Sequence, residues 1–386
     1  MPHPVVEAAA GLRPIIRGYQ EEIERERCIP GPLVEKLRAA SLYRLLVPRE
    51  MGGLQLDLLT YFRVVELVSE GDGSVGWNIA TSAAAQLVSL SLPDAGVHEV
   101  FQDGPDAITA GTVVPGGGRG VRVDGGYVVN GRWRFGSGCR ESQWMLGNFF
   151  VDDGLLRAVF PAHECSVVDT WDVMGLRGTG SHDWVVTDVF VPEYRTVPHA
   201  GTPVDNRWRR WQGTLYALPV HAVIGPHHSP VATGAARAAI DALGDLAGAK
   251  VPRARTALLR EQAFVQEVVG RAEAALGAAQ AYRTAVTRDI WGTVEAGGQP
   301  TLQQQARCRL AATYAVDCAV QAVDLMYRAG GTTSLERSHQ LARCWRDVHA
   351  VGQSASLHPE WYALTARAFL GLDAGPRLMD DWPAGP

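Results

Sequence analysis

The chain has 386 residues, 46% hydrophobic and 20% charged, with 36 basic against 41 acidic side chains and a net charge of −5. This excludes a disordered chain, which lacks the apolar mass to offset its ordering entropy. It also offers no basic surface to nucleic acid or to an anionic membrane. Only Lys36 and Lys250 are lysines, so the basic set is almost all arginine, read as genome bias rather than as a site. At about 150 residues per domain, the length predicts two to three domains. Cys28, Cys139, Cys165, Cys308, Cys318 and Cys344 show no C-x-x-C spacing. That excludes a zinc or redox dithiol motif and leaves them as small buried hydrophobes in a reducing cytoplasm. The first residues have no basic region followed by an apolar core. The most apolar stretch, 79–92, is interrupted by Thr81, Ser82, Gln86, Ser89 and Ser91 and is too short to span a bilayer.

In chain order, Val5, Ala9, Leu12, Ile16, Tyr19 and Ile23 recur at steps of three and four, an amphipathic helix. The run EEIERER at 21–27 reads as its solvated face, and 28–32, with Pro30 and Pro32, stops it. A second helix follows through Val34, Leu37 and Leu42. Pro48 and Gly52-Gly53 mark a loop, and Tyr61, Val64, Val65 and Val68 a third helix. Gly71-Asp72-Gly73-Ser74 is a turn that hands over to a helix at Val75-Gly76-Trp77. From about 106 the period changes to that of strands. Asp124-Gly125-Gly126 reads as a hairpin turn. Arg132-Trp133-Arg134-Phe135 alternates as a half-buried strand, and 184–192 is β-branched and aromatic. The helical period returns near 225. Val265, Val268, Ala272, Ala275, Ala279, Tyr282, Val286 and Ile290 form one long helix, ended by Gly297-Gly298 and Pro300. Leu302, Ala306, Leu310, Thr313, Val316, Val320, Val323 and Tyr327 form the next, ended by Gly330-Gly331 as a C′ glycine would end it.

This order predicts an α+β fold: an N-terminal helical domain (1–105), a middle β-barrel domain (106–215) and a C-terminal helical bundle (216–386). Strands and helices do not alternate, so a Rossmann sheet is excluded. Gly116-Gly117-Gly118-x-Gly120 lacks the G-x-G-x-x-G spacing and opens a strand, so it reads as a surface turn. The length and alanine content of the two long helices favour packing on a second copy of the chain.

Several strings, in this order, resemble the acyl-CoA dehydrogenase fold and, within it, the flavin-dependent monooxygenase branch. They are Leu45-Leu46-Val47-Pro48, Asp72-Gly73-Ser74-Val75-Gly76-Trp77, Gly125-Gly126-Tyr127-Val128-Val129-Asn130-Gly131-Arg132-Trp133, Phe135-Gly136-Ser137-Gly138-Cys139, Gly175-Leu176-Arg177-Gly178-Thr179-Gly180-Ser181-His182-Asp183, Gly330-Gly331 and Trp345-Arg346-Asp347-Val348. The resemblance implies the oxygenase component of a two-component system. Such a protein takes reduced flavin (FADH2 or FMNH2) from a separate reductase, reacts with O2 to a C4a-hydroperoxide, and oxygenates a hydrophobic aromatic molecule. It also implies a homodimer or homotetramer. The alternatives are an acyl-thioester dehydrogenase and a non-catalytic protein that kept the fold. Most dehydrogenases of this fold place a glutamate base eight residues after the Asp of the Arg-Asp pair. Here the pair is Arg346-Asp347, and that position is Ala355. Without a base in reach, α-proton abstraction has no agent.

The resemblance assigns Trp133, Phe135 and Ser137 to the flavin, with Gly330, Gly331 and Arg253, and Arg255 beside it, reaching its diphosphate across a dimer. Ser181, His182, His349 and Ser354 are the candidates for catalytic contacts. Trp77, Ala85 and His358 are candidates for the substrate pocket, and Trp208 and Trp211 for an aromatic lining. Phenol-hydroxylating relatives carry histidines at the positions of Ala85 and Ser354. Their absence here points to a ring already electron-rich, such as indole. His227-His228 has no third ligand at metal spacing, so a metal site is not expected there.

Overall fold

The computed structural model describes residues 3–112, 117–152, 154–198 and 210–373. Trp208 and Gly116 lie outside the described residues. Helices come first: α1 (Pro4–Gly18), α2 (Gln20–Glu26), α3 (Gly31–Ala39), α4 (Leu58–Gly71), α5 (Gly73–Ser89) and α6 (Asp94–Val100). The single helix expected over the first apolar repeat is two, because the chain pauses at Tyr19 between α1 and α2. Arg27 ends α2 in the left-handed region (φ 54°). The acidic run on α2 is not wholly solvated. Glu24 accepts from Arg343 (2.7 Å) and Arg346 (3.1 Å), which ties α2 to the last third of the chain.

Eight strands follow among the described residues: β1 (Thr109–Gly111), β2 (Gly118–Val123), β3 (Gly126–Gly136), β4 (Trp144–Val151), β5 (Gly154–Pro161), β6 (Ser166–Val168), β7 (His182–Pro192) and β8 (Thr196–Pro198). They form one mixed sheet in the order β6-β7-β3-β2-β4-β5-β8, with β1 added parallel to β4. This is the middle β domain expected between the two helical ones, a mixed sheet whose path runs from β6 to β8. The β2–β3 hairpin turns on Asp124 and Gly125 with Val123 opposite Gly126, and Gly125 supplies the positive φ (75°) the tight turn needs. Trp133, Trp184, Phe149 and Phe160 fill the core of this sheet.

The remaining helices are α7 (Thr214–Ala217), α8 (Val220–Ile224), α9 (Ser229–Ala249), α10 (Ala263–Glu295), α11 (Leu302–Gly330), α12 (Gln340–Val351) and α13 (Glu360–Phe369). α10 and α11 run where the two long apolar seams place them, and Gly331 closes α11 with φ 64°. One continuous apolar core runs from the first helices into this bundle. A buried charge network pins α4 to it. Glu66 accepts from Thr233 (2.6 Å), Gln280 (2.9 Å) and Arg283 (3.1 Å). Burial pushes the Glu66 carboxyl up, but Arg283 and these hydrogen bonds outweigh it and hold it low. No helix among the described residues is long and apolar enough to cross a membrane.

Candidate active site

Three elements meet where the sheet faces the helices. α5 is started by Asp72, whose carboxylate accepts from the backbone N–H of Ser74 (2.9 Å) and Val75 (3.4 Å), an N-cap. Its 3.6-residue period places Trp77, Thr81 and Ala85 along one face. The end of β3 is irregular, with a register shift between Trp133 and Gly136. There Phe135 takes a positive φ (63°) and stands 48% exposed. The turn into β7 presses close on α2: a Cβ on Gly178 would lie 2.0 Å from Cγ2 of Ile23, so the position requires glycine.

These elements deliver a chain of hydroxyls. Trp77 Nε1 donates to Ser137 Oγ (3.2 Å), Ser137 and Ser181 are 2.7 Å apart, and Ser181 and Thr179 are 2.7 Å apart. Thr179 donates its proton to the Leu176 carbonyl (2.8 Å). That last bond fixes the direction of the rest: Ser181 donates to Thr179, and Ser137 donates to Ser181. Every hydroxyl proton is engaged, so Ser137 and Ser181 present only lone pairs to a neighbour.

The other face of Trp77 carries a ring that sequence reasoning did not place here. His228 stacks on Trp77 with centroids 3.6 Å apart and planes 4° from parallel. Its Nε2 is 3.0 Å from the Thr81 hydroxyl. The His227 ring is 3.7 Å from that of His228, and its Nδ1 meets the carbonyl of Ile224. Burial pushes His227 down to about 4 and His228 well below the ordinary histidine value, so both are neutral at pH 7. The doublet itself was visible in the sequence; only its fold-back onto α5 gives it a role. No metal-binding cluster is present among the described residues.

The other expected site residues fall in different places. Trp133 is 2% exposed inside the sheet core, stacked on Trp184, with Nε1 donating to the Asn148 carbonyl. The exposed aromatic on that strand is Phe135, two residues further on. His182 is fully buried, and its Nδ1 accepts from the backbone N–H of Thr170 and Trp171. It therefore carries no proton there, and Asp169 at 3.4 Å is a neighbour rather than an ion-pair partner. His182 anchors the segment that sets Trp171 edge-on to Phe135 (6.3 Å, 87°). Ala85 is buried on α5. Ser354 bonds Ser356 (3.0 Å), whose carbonyl accepts from Arg309 (3.2 Å).

His349 and His358 line a cavity of about 670 Å³ along α11, with Asp324, Arg271 and Arg328. There His349 Nε2 is 3.0 Å from Asp324, which also accepts from Trp345 Nε1 (2.8 Å). Gly330 and Gly331 meet Lys250, which donates to the Gly330 carbonyl (2.8 Å) and to Thr333 (2.8 Å), while Arg253 and Arg255 stand exposed nearby in sequence. Trp211 donates to the Leu90 carbonyl (3.1 Å) and packs on the main core.

Comparison with known proteins identifies the family. Residues 9–100 match the acyl-CoA dehydrogenase N-terminal domain and residues 227–359 the acyl-CoA dehydrogenase C-terminal domain. The chain is 31% identical to an indole-3-acetate monooxygenase of Pseudomonas putida, over 93% of this chain and 91% of that one. It is 29% identical to the flavin-dependent monooxygenase oxygenase subunit HsaA of Mycobacterium tuberculosis, over 97% of each. The structure of XiaF from Streptomyces sp. in complex with FADH2 and glycerol superposes with a TM-score of 0.88 at 26% identity, covering 96% of each chain. The chain belongs to the acyl-CoA dehydrogenase family, as an oxygenase component of its flavin-dependent monooxygenase branch that uses reduced flavin and O2.

Proposed function

We propose that this oxygenase acts on a neutral, electron-rich bicyclic aromatic of the indole type. The observation that carries the reading is the pairing of an aromatic wall, Trp77 on His228, with the engaged hydroxyls of Ser137 and Ser181. The likeness to an indole-3-acetate monooxygenase supports the same substrate class.

The residues fit a reduced flavin. Ser137 and Ser181 offer lone pairs, which suit the ring N–H groups that a reduced isoalloxazine presents. Phe135 and Trp171 offer an aromatic wall beside them. Lys250, which meets Gly330 and Gly331, and Arg253, three residues further along the chain, suit a diphosphate. When bound, reduced flavin supplies the electrons that activate O2 for delivery of one oxygen atom. The chain's own part is to orient the ring, exclude water and hold its protons still. Ala355 leaves no carboxylate where dehydrogenases hold their base. The histidines near Trp77 are held neutral by burial, so the pocket favours a ring that is nucleophilic without prior ionisation.

A separate reductase supplies the flavin. Exposed Phe264 on α10 and Tyr314 on α11, 54% and 37% accessible, support self-association as a homodimer or homotetramer. Six cysteines outside any disulfide support a reducing cytoplasm. The test is turnover with a generic reductase, NADH and flavin. Blue pigment from indole is expected. Activity on phenols alone, or anaerobic bleaching of bound oxidised flavin by an acyl-CoA, would overturn the reading.

A further inference from the structure

The His227–His228 doublet is left over once the flavin residues are assigned. His227 Nδ1 faces the Ile224 carbonyl, which can only accept, so Nδ1 holds the ring proton. Its Nε2 is then a bare acceptor, without a hydrogen bond among the described residues. His228 has one nitrogen on Thr81 and the other, Nδ1, buried with no partner. Both rings are 7% exposed, and both stay neutral through burial. A buried nitrogen without a partner is destabilising unless something else meets it. The doublet adjoins Trp77, whose N–H touches Ser137, so Trp77 links it to the hydroxyl chain.

We propose that His227 and His228 form the substrate's hydrogen-bond acceptor, receiving the ring N–H of a neutral heteroaromatic that lies along Trp77. This rests on the indole-type reading above and sharpens it. A ring with an N–H can pair with one of these nitrogens, whereas an isostere lacking the donor pairs with neither. Two neutral imidazoles bring no positive charge, so an anionic ring gains nothing from them. The recognition is of a donor, not of a charge.

The experiment is calorimetric titration of the full flavin-free chain with indole and with benzofuran, which replaces the ring N–H by an oxygen at nearly the same shape. The wild type should bind indole about tenfold more tightly, the effect of one well-placed hydrogen bond. His227→Phe and His228→Phe should each reduce that ratio, and the double variant should bring it within about twofold. The double variant His227→Gln/His228→Gln, which keeps acceptor oxygens, should restore part of the preference. Equal binding of the two rings by the wild type overturns the proposal while leaving the indole-type reading standing. So does a ratio that persists in the double Phe variant. Binding of neither ring overturns both. The wild-type comparison needs no variant to fold.

Discussion

Trp133 and Trp77 each lie flat against a second ring, and the two stacks differ in what surrounds them. Trp133 meets Trp184 at 4.2 Å, is 2% exposed, and gives its N–H to a backbone carbonyl. Trp77 meets His228 at 3.6 Å, is half-buried, and gives its N–H to a side-chain hydroxyl whose own proton is passed along a chain. In the first stack the Trp133 N–H ends on a backbone carbonyl and the Trp184 N–H is buried without a partner among the described residues, both inside the sheet core. In the second, the Trp77 N–H and one His228 nitrogen end on side-chain hydroxyls, those of Ser137 and Thr81. Ring stacking alone therefore says nothing of function; what separates the two is whether the Trp N–H ends on a core carbonyl or on a hydroxyl of the Ser137–Ser181 chain.

The largest test of that contrast is Trp133→Ala. Removing a buried, stacked indole is expected to lower stability by about 3–5 kcal/mol, read by denaturant unfolding. Reduced-flavin affinity of the folded fraction should change little. A loss below about 1 kcal/mol, or a selective loss of flavin binding, would place Trp133 in the site after all.

Glu141 sits at the joint between the two regions, just after Ser137, with Oε1 accepting from the Ile29 N–H (2.6 Å) and Oε2 buried without a partner. Burial raises its carboxyl to about 7. Between pH 4.5 and 7 the unfolded carboxyl is ionised while the folded one keeps its proton, so this group's contribution to stability falls as pH rises through that window. Glu141→Gln keeps an acceptor and cannot ionise. Its advantage over the wild type should grow from near zero below pH 4.5 to roughly 3 kcal/mol at pH 8, measured by unfolding at several pH values. A difference independent of pH would show that the carboxyl is ionised in the fold throughout.

Much of this was readable before any coordinates. Asp72 caps its helix where the turn pattern places it, Asp124 and Gly125 make the hairpin, and Gly331 ends α11. Each of these depends on a few neighbouring residues, and local patterns carry local physics. The strings that hold Ser137 and Ser181 mark them as candidates, and the two hydroxyls lie 2.7 Å apart. What the sequence hid was long-range. Thr81 and His228 are 147 residues apart, and Glu24 pairs with Arg343 across 319. A histidine doublet has no periodicity and no metal spacing, so nothing local separates a stacking ring from a loop residue. Trp133 follows the buried alternation of β3 into the core, whereas the register shift before Gly136 breaks that alternation and leaves Phe135 as the exposed aromatic.

A smaller effect is expected from Ser181→Ala. It removes the middle of the hydroxyl chain, leaving the Ser137 proton and the Thr179 oxygen without each other's relay. The loss should be about 1–2 kcal/mol, seen as roughly tenfold weaker reduced-flavin binding in anaerobic titration. Stability should hardly move, the reverse of the Trp133 pattern. Unchanged flavin binding would mean that the chain of hydroxyls is only a strand-end brace.

The finest division is within Trp77 itself. Trp77→Phe keeps an aromatic face for His228 but removes the N–H that reaches Ser137. Ser137 still donates to Ser181, so the direction of the chain survives; what changes is that Ser137 loses its own donor and gains a free lone pair. The expected loss is about 1 kcal/mol, or roughly fivefold in reduced-flavin affinity, while the indole-to-benzofuran ratio stays near that of the wild type. If instead the ratio collapses and flavin binding holds, Trp77 serves the histidine doublet rather than the serines. The two faces of this one ring would then have exchanged roles: the stacked face would carry specificity, and the N–H would do no more than fix the rotamer.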